Sequence, residues 1–218
     1  MQGSRLIIFD LDGTLVDAYP AITASFNFVM IKLGYPKMPN LTIRRAVGWG
    51  DRSLLKPFVK KADLEKAVRL YRQHHRRALL QGSRLLPGVK QAIVFLKRKG
   101  FKLAIASNRP TRFSAIMVRH LGIKKHFSYM LCADVLSRGK PHPGILLKII
   151  RHFGIKRQDA LYVGDMTIDA QAGRRAGIRT AIVTTGSHPE EEIRKEKPFL
   201  IIRKISELAK NIPVIFRG

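Results

Sequence analysis

Two carboxylates stand two residues apart in Phe9-Asp10-Leu11-Asp12-Gly13-Thr14, directly after the apolar run Leu6-Ile7-Ile8. Two more, Asp165 and Asp169, occur in Gly164-Asp165-Met166-Thr167-Ile168-Asp169, again after an apolar run. Ser107 and Asn108 follow a third run, and Lys140 lies in Gly139-Lys140-Pro141-His142-Pro143. Carboxylates gathered this way repel one another and call for a cation. An all-oxygen donor set suits Mg2+, which keeps waters and takes one or two carboxylates. Zinc is disfavoured: Cys132 is the one cysteine, and none of the seven histidines is placed like a zinc pair. A metal and Lys140 can neutralise a phosphoryl group whose oxygens Ser107 and loop amides bind. One aspartate can then attack phosphorus and carry the phosphoryl group as an acyl phosphate. A second carboxyl group can protonate the departing alkoxide and later activate water.

These groups can act together only if the chain brings them to one place. Short apolar runs cover 6–9, 102–106, 129–133, 160–163, 180–183 and, more weakly, 199–202. Most are followed by a polar or glycine loop and a helix-like pattern, as over 88–99 and 168–176. Strands alternating with helices predict a doubly wound parallel sheet, a Rossmann-like α/β core. In such sheets ligands sit beyond the carboxyl ends of the strands, which is where all these residues fall.

The stretch from Asp17 to Leu86 breaks the rhythm and shows no convincing strand. Ile22, Phe26, Val29 and Leu33 form one helical stripe; Leu64, Val68, Tyr71, His75 and Ala78 form another. The expected organisation is a core of residues 1–16 and 85–218 with an all-helical insert, 17–84, after the first strand. His74 and His75 lie in a basic helix and are expected to be solvated. The run Glu190-Glu191-Glu192-Ile193-Arg194-Lys195-Glu196-Lys197 reads as a solvated helix.

Composition sets the frame. The chain has 218 residues, and 41 Lys+Arg against 15 Asp+Glu give a formal net charge of +26. Such a field attracts anions: phosphorylated metabolites, nucleic acid or anionic membranes. The positive residues are spread along the whole chain, so a solvated basic surface is the plain alternative. One cysteine fits a reducing compartment. The first apolar run is too short for a signal peptide and ends in aspartates. A cytoplasmic protein without membrane spans, as monomer or homodimer, is expected.

Taken in order, "FDLDGT", "ASN", "GKPHP" and "GDMTID" resemble the motifs of the haloacid dehalogenase superfamily of phosphohydrolases, from Ile7 to about Gly186. The helical insert looks like that family's small cap domain. The resemblance implies Asp10 as nucleophile and Mg2+ ligand. It implies Asp12 as general acid/base, its backbone carbonyl also on the metal. Ser107 would bind phosphate with help from the Asn108 backbone. Lys140 would steady the nucleophile, Asp165 would ligate Mg2+, and Asp169 would orient a metal water or Lys140. Thr14 is grouped with the phosphate side, with a helix N-terminal role as its alternative.

Trp49, between Gly48 and Gly50, falls where similar phosphatases choose their substrate; a turn with the ring packed inward is the alternative. Arg109 could touch substrate or lie at the surface. Arg45 and Arg52 could hold an anionic tail. His142 reads as a turn residue and Cys132 as a core residue.

The stretches "DLDGTLVDAYPAI" and "VGDMTIDAQAGRRAG" look most like the phosphoglycolate-phosphatase branch. The implied substrate is a small phosphorylated metabolite. A dehalogenase would have no need of Asp12. A sugar phosphomutase of the same superfamily, and a nucleic-acid-directed phosphatase or binding protein, remain alternatives.

Overall fold

The computed structural model describes residues 5–216. The chain opens with β1 (Leu6–Phe9), then β2 (Val16–Asp17) and the helices α1 (Tyr19–Lys32), α2 (Asn40–Ala46), α3 (Asp51–Leu55) and α4 (Leu64–Gly82). β3 (Arg84–Leu85) follows, then α5 (Val89–Arg98), β4 (Lys102–Ser107), α6 (Thr111–His120) and β5 (Tyr129–Cys132). The last part is α7 (Gly144–Phe153), β6 (Ala160–Gly164), α8 (Thr167–Ala176), β7 (Arg179–Val183), α9 (Glu190–Lys195), β8 (Leu200–Ile202) and α10 (Leu208–Ile215).

Six strands form one parallel sheet in the order β5-β4-β1-β6-β7-β8. β1 is central, with Phe9 opposite Ile105 of β4 on one side and Val163 of β6 on the other. Its four residues are wholly buried, as a strand covered on both faces requires. Alternate residues feed two cores. Ile7, Phe9, Leu103, Ile105, Leu161 and Val163 pack on one face; Leu6, Ile8, Ala104, Ala106 and Tyr162 pack on the other. The chain winds outward from β1 to β5, then crosses back to β6. The strand order therefore reverses around β1, and a crevice opens at the carboxyl ends there.

Between Tyr19 and Gly82 the regular elements are all helical. The expected stripes are the buried faces: Ile22, Phe26 and Val29 on α1, and Leu64, Val68, Tyr71, His75 and Ala78 on α4. Leu33 lies just past the end of α1 and is half-buried. The expectation of no strand between 17 and 86 is corrected at its edges. β2 and β3 pair antiparallel, Val16 with Leu85 and Asp17 with Arg84. Two residues per strand are too few for periodicity to show. The ribbon ties the two ends of the helical segment together where it leaves and rejoins the sheet.

The expectation of a solvated His75 is also corrected: its side chain is fully buried. Its place on the apolar stripe decides this, not the basic residues on the rest of the helix. Of the run 190–197, Glu190–Lys195 form a helix, which stops two residues short of the expected end, and Ile193 is buried against Ala170 and Ile182. Among the described residues no helix is long and apolar enough to cross a membrane.

Candidate active site

Asp10 follows the last residue of β1, and its backbone N–H donates to the Val163 carbonyl at 2.8 Å, which continues the ladder by one bond. Asp165 sits just past β6, and Asp169 occupies the first turn of α8. Carboxylate oxygens of Asp10, Asp165 and Asp169 lie within 4.8 Å of one another, and all three residues are buried. The groups placed by sequence after separate strands thus meet in the crevice.

Lys140 is buried among them. Its Nζ donates to Asp10 Oδ1 at 2.6 Å, to Asp169 Oδ1 at 2.8 Å and to the Tyr162 hydroxyl at 2.9 Å. A buried ammonium is tolerated because it is fully paired. Burial alone would lower its pKa; the Asp10 and Asp169 charges outweigh that and hold it raised. Burial raises the Asp10 carboxyl to about 7 against the pull of Lys140, and the Asp169 charge adds to the rise. Burial, then Asp169 and Asp10, push Asp165 well above the usual carboxylate range.

Asp169 is held on both carboxylate oxygens. One oxygen accepts from Lys140 and from Tyr162 (2.6 Å); the other accepts the backbone N–H of Asp165 at 3.1 Å and of Met166 at 3.0 Å. It has little left to offer a cation. Tyr162 was read only as a strand residue. A phenol in a wholly buried strand must find a polar partner, and that signal was present in the sequence.

Asp165 is different. Its Oδ1 accepts from the Thr14 hydroxyl at 2.7 Å, while its buried Oδ2 has no partner among the described residues. Glycine backbone closes on that oxygen: a Cβ at Gly13 would lie 2.3 Å from it, and one at Gly186 2.2 Å. Gly13 also has φ +82, a region that glycine enters at least cost. Thr14, grouped with the phosphate side by its sequence, gives its hydroxyl proton to Asp165. Four carboxyl groups (Asp10, Asp12, Asp165 and Asp169) face two cationic side chains in this region, so that when all are ionised two negative charges are unbalanced. An orphaned buried oxygen and an unbalanced pair of charges fit a hard divalent cation held by Asp10 and Asp165.

Ser107 ends β4 and is buried; its Oγ accepts the Arg109 backbone N–H at 3.1 Å. Asn108 acts through its side chain. Its amide donates to the Gly48 carbonyl at 2.8 Å and the Lys140 carbonyl at 3.0 Å, and its Oδ1 accepts the Lys140 N–H at 2.8 Å. It links the sheet edge to the helical segment.

Arg109 lies inside, not at the surface. Its Nε donates to Asp12 Oδ2 at 2.7 Å and its Nη2 to Asp12 Oδ1 at 2.8 Å. Its Nη1 faces His75 Nε2. Burial, then the Arg109 charge, lower the His75 pKa to about 2, so the ring is neutral. These groups border a small cavity of about 60 Å3 between sheet edge and helical segment, with Ser107, Arg109 and Asp12 facing Leu54, Tyr71 and His75.

Trp49 does not border that cavity. It is 53% exposed and lies against an outer hollow beside Pro141 and Arg175. One of its flanking glycines makes the close approach instead. Gly48 has φ +121, and a Cβ there would meet the Met166 side chain at 2.8 Å. Arg45 and Arg52 are exposed, and Arg52 pairs with Glu65. His142 accepts the Gly144 N–H in a turn, and Cys132 is buried in β5.

The family model for haloacid dehalogenase-like hydrolases matches residues 7–183. The chain belongs to this family. It is 32% identical over 215 residues to phosphoglycolate phosphatase 1 of Pseudomonas aeruginosa, covering 94% of this chain and 78% of that one. It is 31% identical over 220 residues to the phosphoglycolate phosphatase of Nitrosococcus oceani, covering 97% of each. A crystal structure described as a predicted phosphoglycolate phosphatase from Haemophilus somnus superposes with a TM-score of 0.90 at 28% identity, over 97% of this chain and 99% of that one. The family and these relatives put the chain among the phosphoric monoester hydrolases, and its doubly wound sheet is the fold expected from the motifs.

Proposed function

We propose that the chain hydrolyses small phosphomonoesters with Mg2+, and that phosphoglycolate is the first substrate to try. The observation that carries this reading is the meeting of Lys140, Asp10 and the orphaned Asp165 oxygen at the carboxyl edge of the sheet. The names of the relatives supply the substrate. Asp10 and Asp165 would hold the metal, with the Asp12 backbone carbonyl as a further ligand. Bound there, the ion would neutralise charge on the phosphoryl oxygens.

Asp10 attacks phosphorus, and the ester oxygen leaves with a proton from Asp12. Asp12 then takes a proton from water, which attacks the acyl phosphate and returns Asp10 to its carboxylate. Lys140 holds Asp10 in place and offsets phosphoryl charge, while Asp169 and Tyr162 hold Lys140. Ser107 and the loop amides bind phosphoryl oxygens. Residues 17–84 act as a cap over the cavity, with Gly48 and Asn108 at the closure.

A phosphate-release screen over phosphoglycolate, sugar phosphates, nucleotides and pyrophosphate, with Mg2+, tests the reading. Preferred turnover of phosphoglycolate is expected. No phosphate from any compound sinks it, and isomerised sugar phosphate in place of free phosphate makes the chain a phosphomutase.

A second reading rests on an open groove of about 690 Å3 between α4 and α6, edged by Arg69, Arg72, Arg76 and Arg112. Arg72 is paired with Asp51; the others carry charge suited to a nucleic-acid backbone. Gel shifts across a salt series test it, since backbone binding falls steeply with salt. Absence of binding at low salt removes it.

A further inference from the structure

Both oxygens of Asp12 accept from one guanidinium, at 2.7 and 2.8 Å. In that arrangement neither oxygen is turned to a leaving group. To act as an acid, Asp12 has to let go of Arg109 by at least one oxygen.

Arg109 is held from the other side. His75 is buried, stacked on Tyr71 with ring centroids 4.7 Å apart, and edge-on to Phe113. Its Nδ1 lies 2.9 Å from Ser25 Oγ, and that hydroxyl gives its proton to the Ala21 carbonyl. Nδ1 therefore carries the ring proton and donates to Ser25, which leaves the Nε2 lone pair for Arg109 Nη1. Arg109 also lines the cavity, together with Leu54 and Tyr71. If Asp12 moves, the guanidinium stays behind, buried and without a counter-charge. A buried charge stripped of its partner is strongly destabilised. Asp12 can therefore leave only when another anion arrives. The other cation of the cavity, Lys140, is committed to Asp10 and Asp169 at the phosphoryl end.

We propose that Arg109 is the receptor for a carboxylate on the substrate, and that this carboxylate frees Asp12 by taking its place on the guanidinium. The substrate class is a phosphomonoester with a carboxylate one or two carbons from the ester oxygen. Planar carboxylate matches the fork of Arg109 as Asp12 does. Esters lacking the second anion leave Asp12 clamped and turn over slowly. This rests on the reading of Asp12 as the acid, and deepens it.

The test compares phosphoglycolate with ethyl phosphate, which puts a methyl group where the carboxylate was. The wild-type chain is expected to favour phosphoglycolate in kcat/KM by roughly 10- to 100-fold, the range for a charge-assisted pair. Arg109→Gln should bring the ratio to within about threefold. Arg109→Lys keeps the charge beside Asp12 and loses the fork, so it should fall between the two. Equal turnover of both esters by the wild type overturns the proposal, as does an equal loss for both in Arg109→Gln. Binding without turnover gives an independent readout: 3-phosphonopropionate should bind about tenfold or more tighter than propylphosphonate, and only while Arg109 is present. Equal binding of the two overturns the receptor. Selective binding without hydrolysis of any ester would keep the receptor and remove the hydrolytic reading.

Discussion

The side-chain amide of Asn108, on the loop after β4, donates to the backbone carbonyl of Gly48 in the helical segment at 2.8 Å, across 60 residues of sequence. The same side chain brackets Lys140, so one amide ties the closure of the cavity to the position of the buried ammonium. Asn108→Ala removes these bonds and leaves the Lys140 N–H without its acceptor. The expected cost is about 1–3 kcal/mol of stability, read as a lower denaturation midpoint. A raised KM should accompany it, because the closed cavity is less populated. An unchanged KM in a destabilised variant would reduce Asn108 to a purely structural role.

Asp10 accepts from Lys140 at 2.6 Å, lies within 4.8 Å of the Asp165 carboxylate and borders the cavity. Asp10→Asn should abolish phosphate release, by on the order of 10^4-fold or more, while circular dichroism remains that of the folded chain. Appreciable turnover in the variant would refute Asp10 as nucleophile.

Crowded carboxylates without a counter-ion oppose folding. In metal-free buffer, Asp165→Asn should therefore raise the melting temperature. Added Mg2+ should stabilise the wild type, and at about a hundred times Kd the gain is about 2.7 kcal/mol, roughly 5–11 °C for a chain of this size. The variant should lose that response, and EDTA should abolish phosphate release by the wild type. A full Mg2+ response in Asp165→Asn would move the metal elsewhere.

His75 links stability to pH. Its pKa is lowered from 6.5 to about 2 in the folded chain, so between those values the unfolded chain binds one more proton. Stability conferred by the neutral ring is complete above about 6.5 and is lost as pH falls through the window below it. The slope from this one group approaches 1.4 kcal/mol per pH unit. His75→Gln should show a shallower decline in urea-unfolding free energy between pH 6 and 4. Identical slopes would mean that His75 is protonated, or solvated, in the folded state.

Much of the site was readable before any coordinates. The carboxylates, Ser107 and Lys140 each follow a short apolar run, and strands of a parallel sheet end at one edge, so these residues had to converge there. The buried strands kept nearly the expected limits because each lies between covered faces and has no polar alternation to blur it. Thr14, Trp49 and His75 show what pattern could not give. Thr14 found an acceptor just past a strand, 151 positions away. Trp49 lies outward while its neighbour Gly48, lacking a Cβ, makes the close approach to Met166. His75 followed its apolar stripe inward despite the charges around it.

Sequence alone determined the chemistry on offer: an oxygen-rich group of side chains, a lysine and a serine, each at or beyond the carboxyl end of a strand, because strand burial and strand ends are local properties of composition. Tertiary structure alone decided how the charges are paired. That Arg109 grips Asp12 and leans on His75, and that Asn108 reaches Gly48, depends on α4 lying against α6 and on which buried polar atoms are left without water. Those are consequences of packing between segments remote in the chain, where desolvation makes every buried charge find a partner.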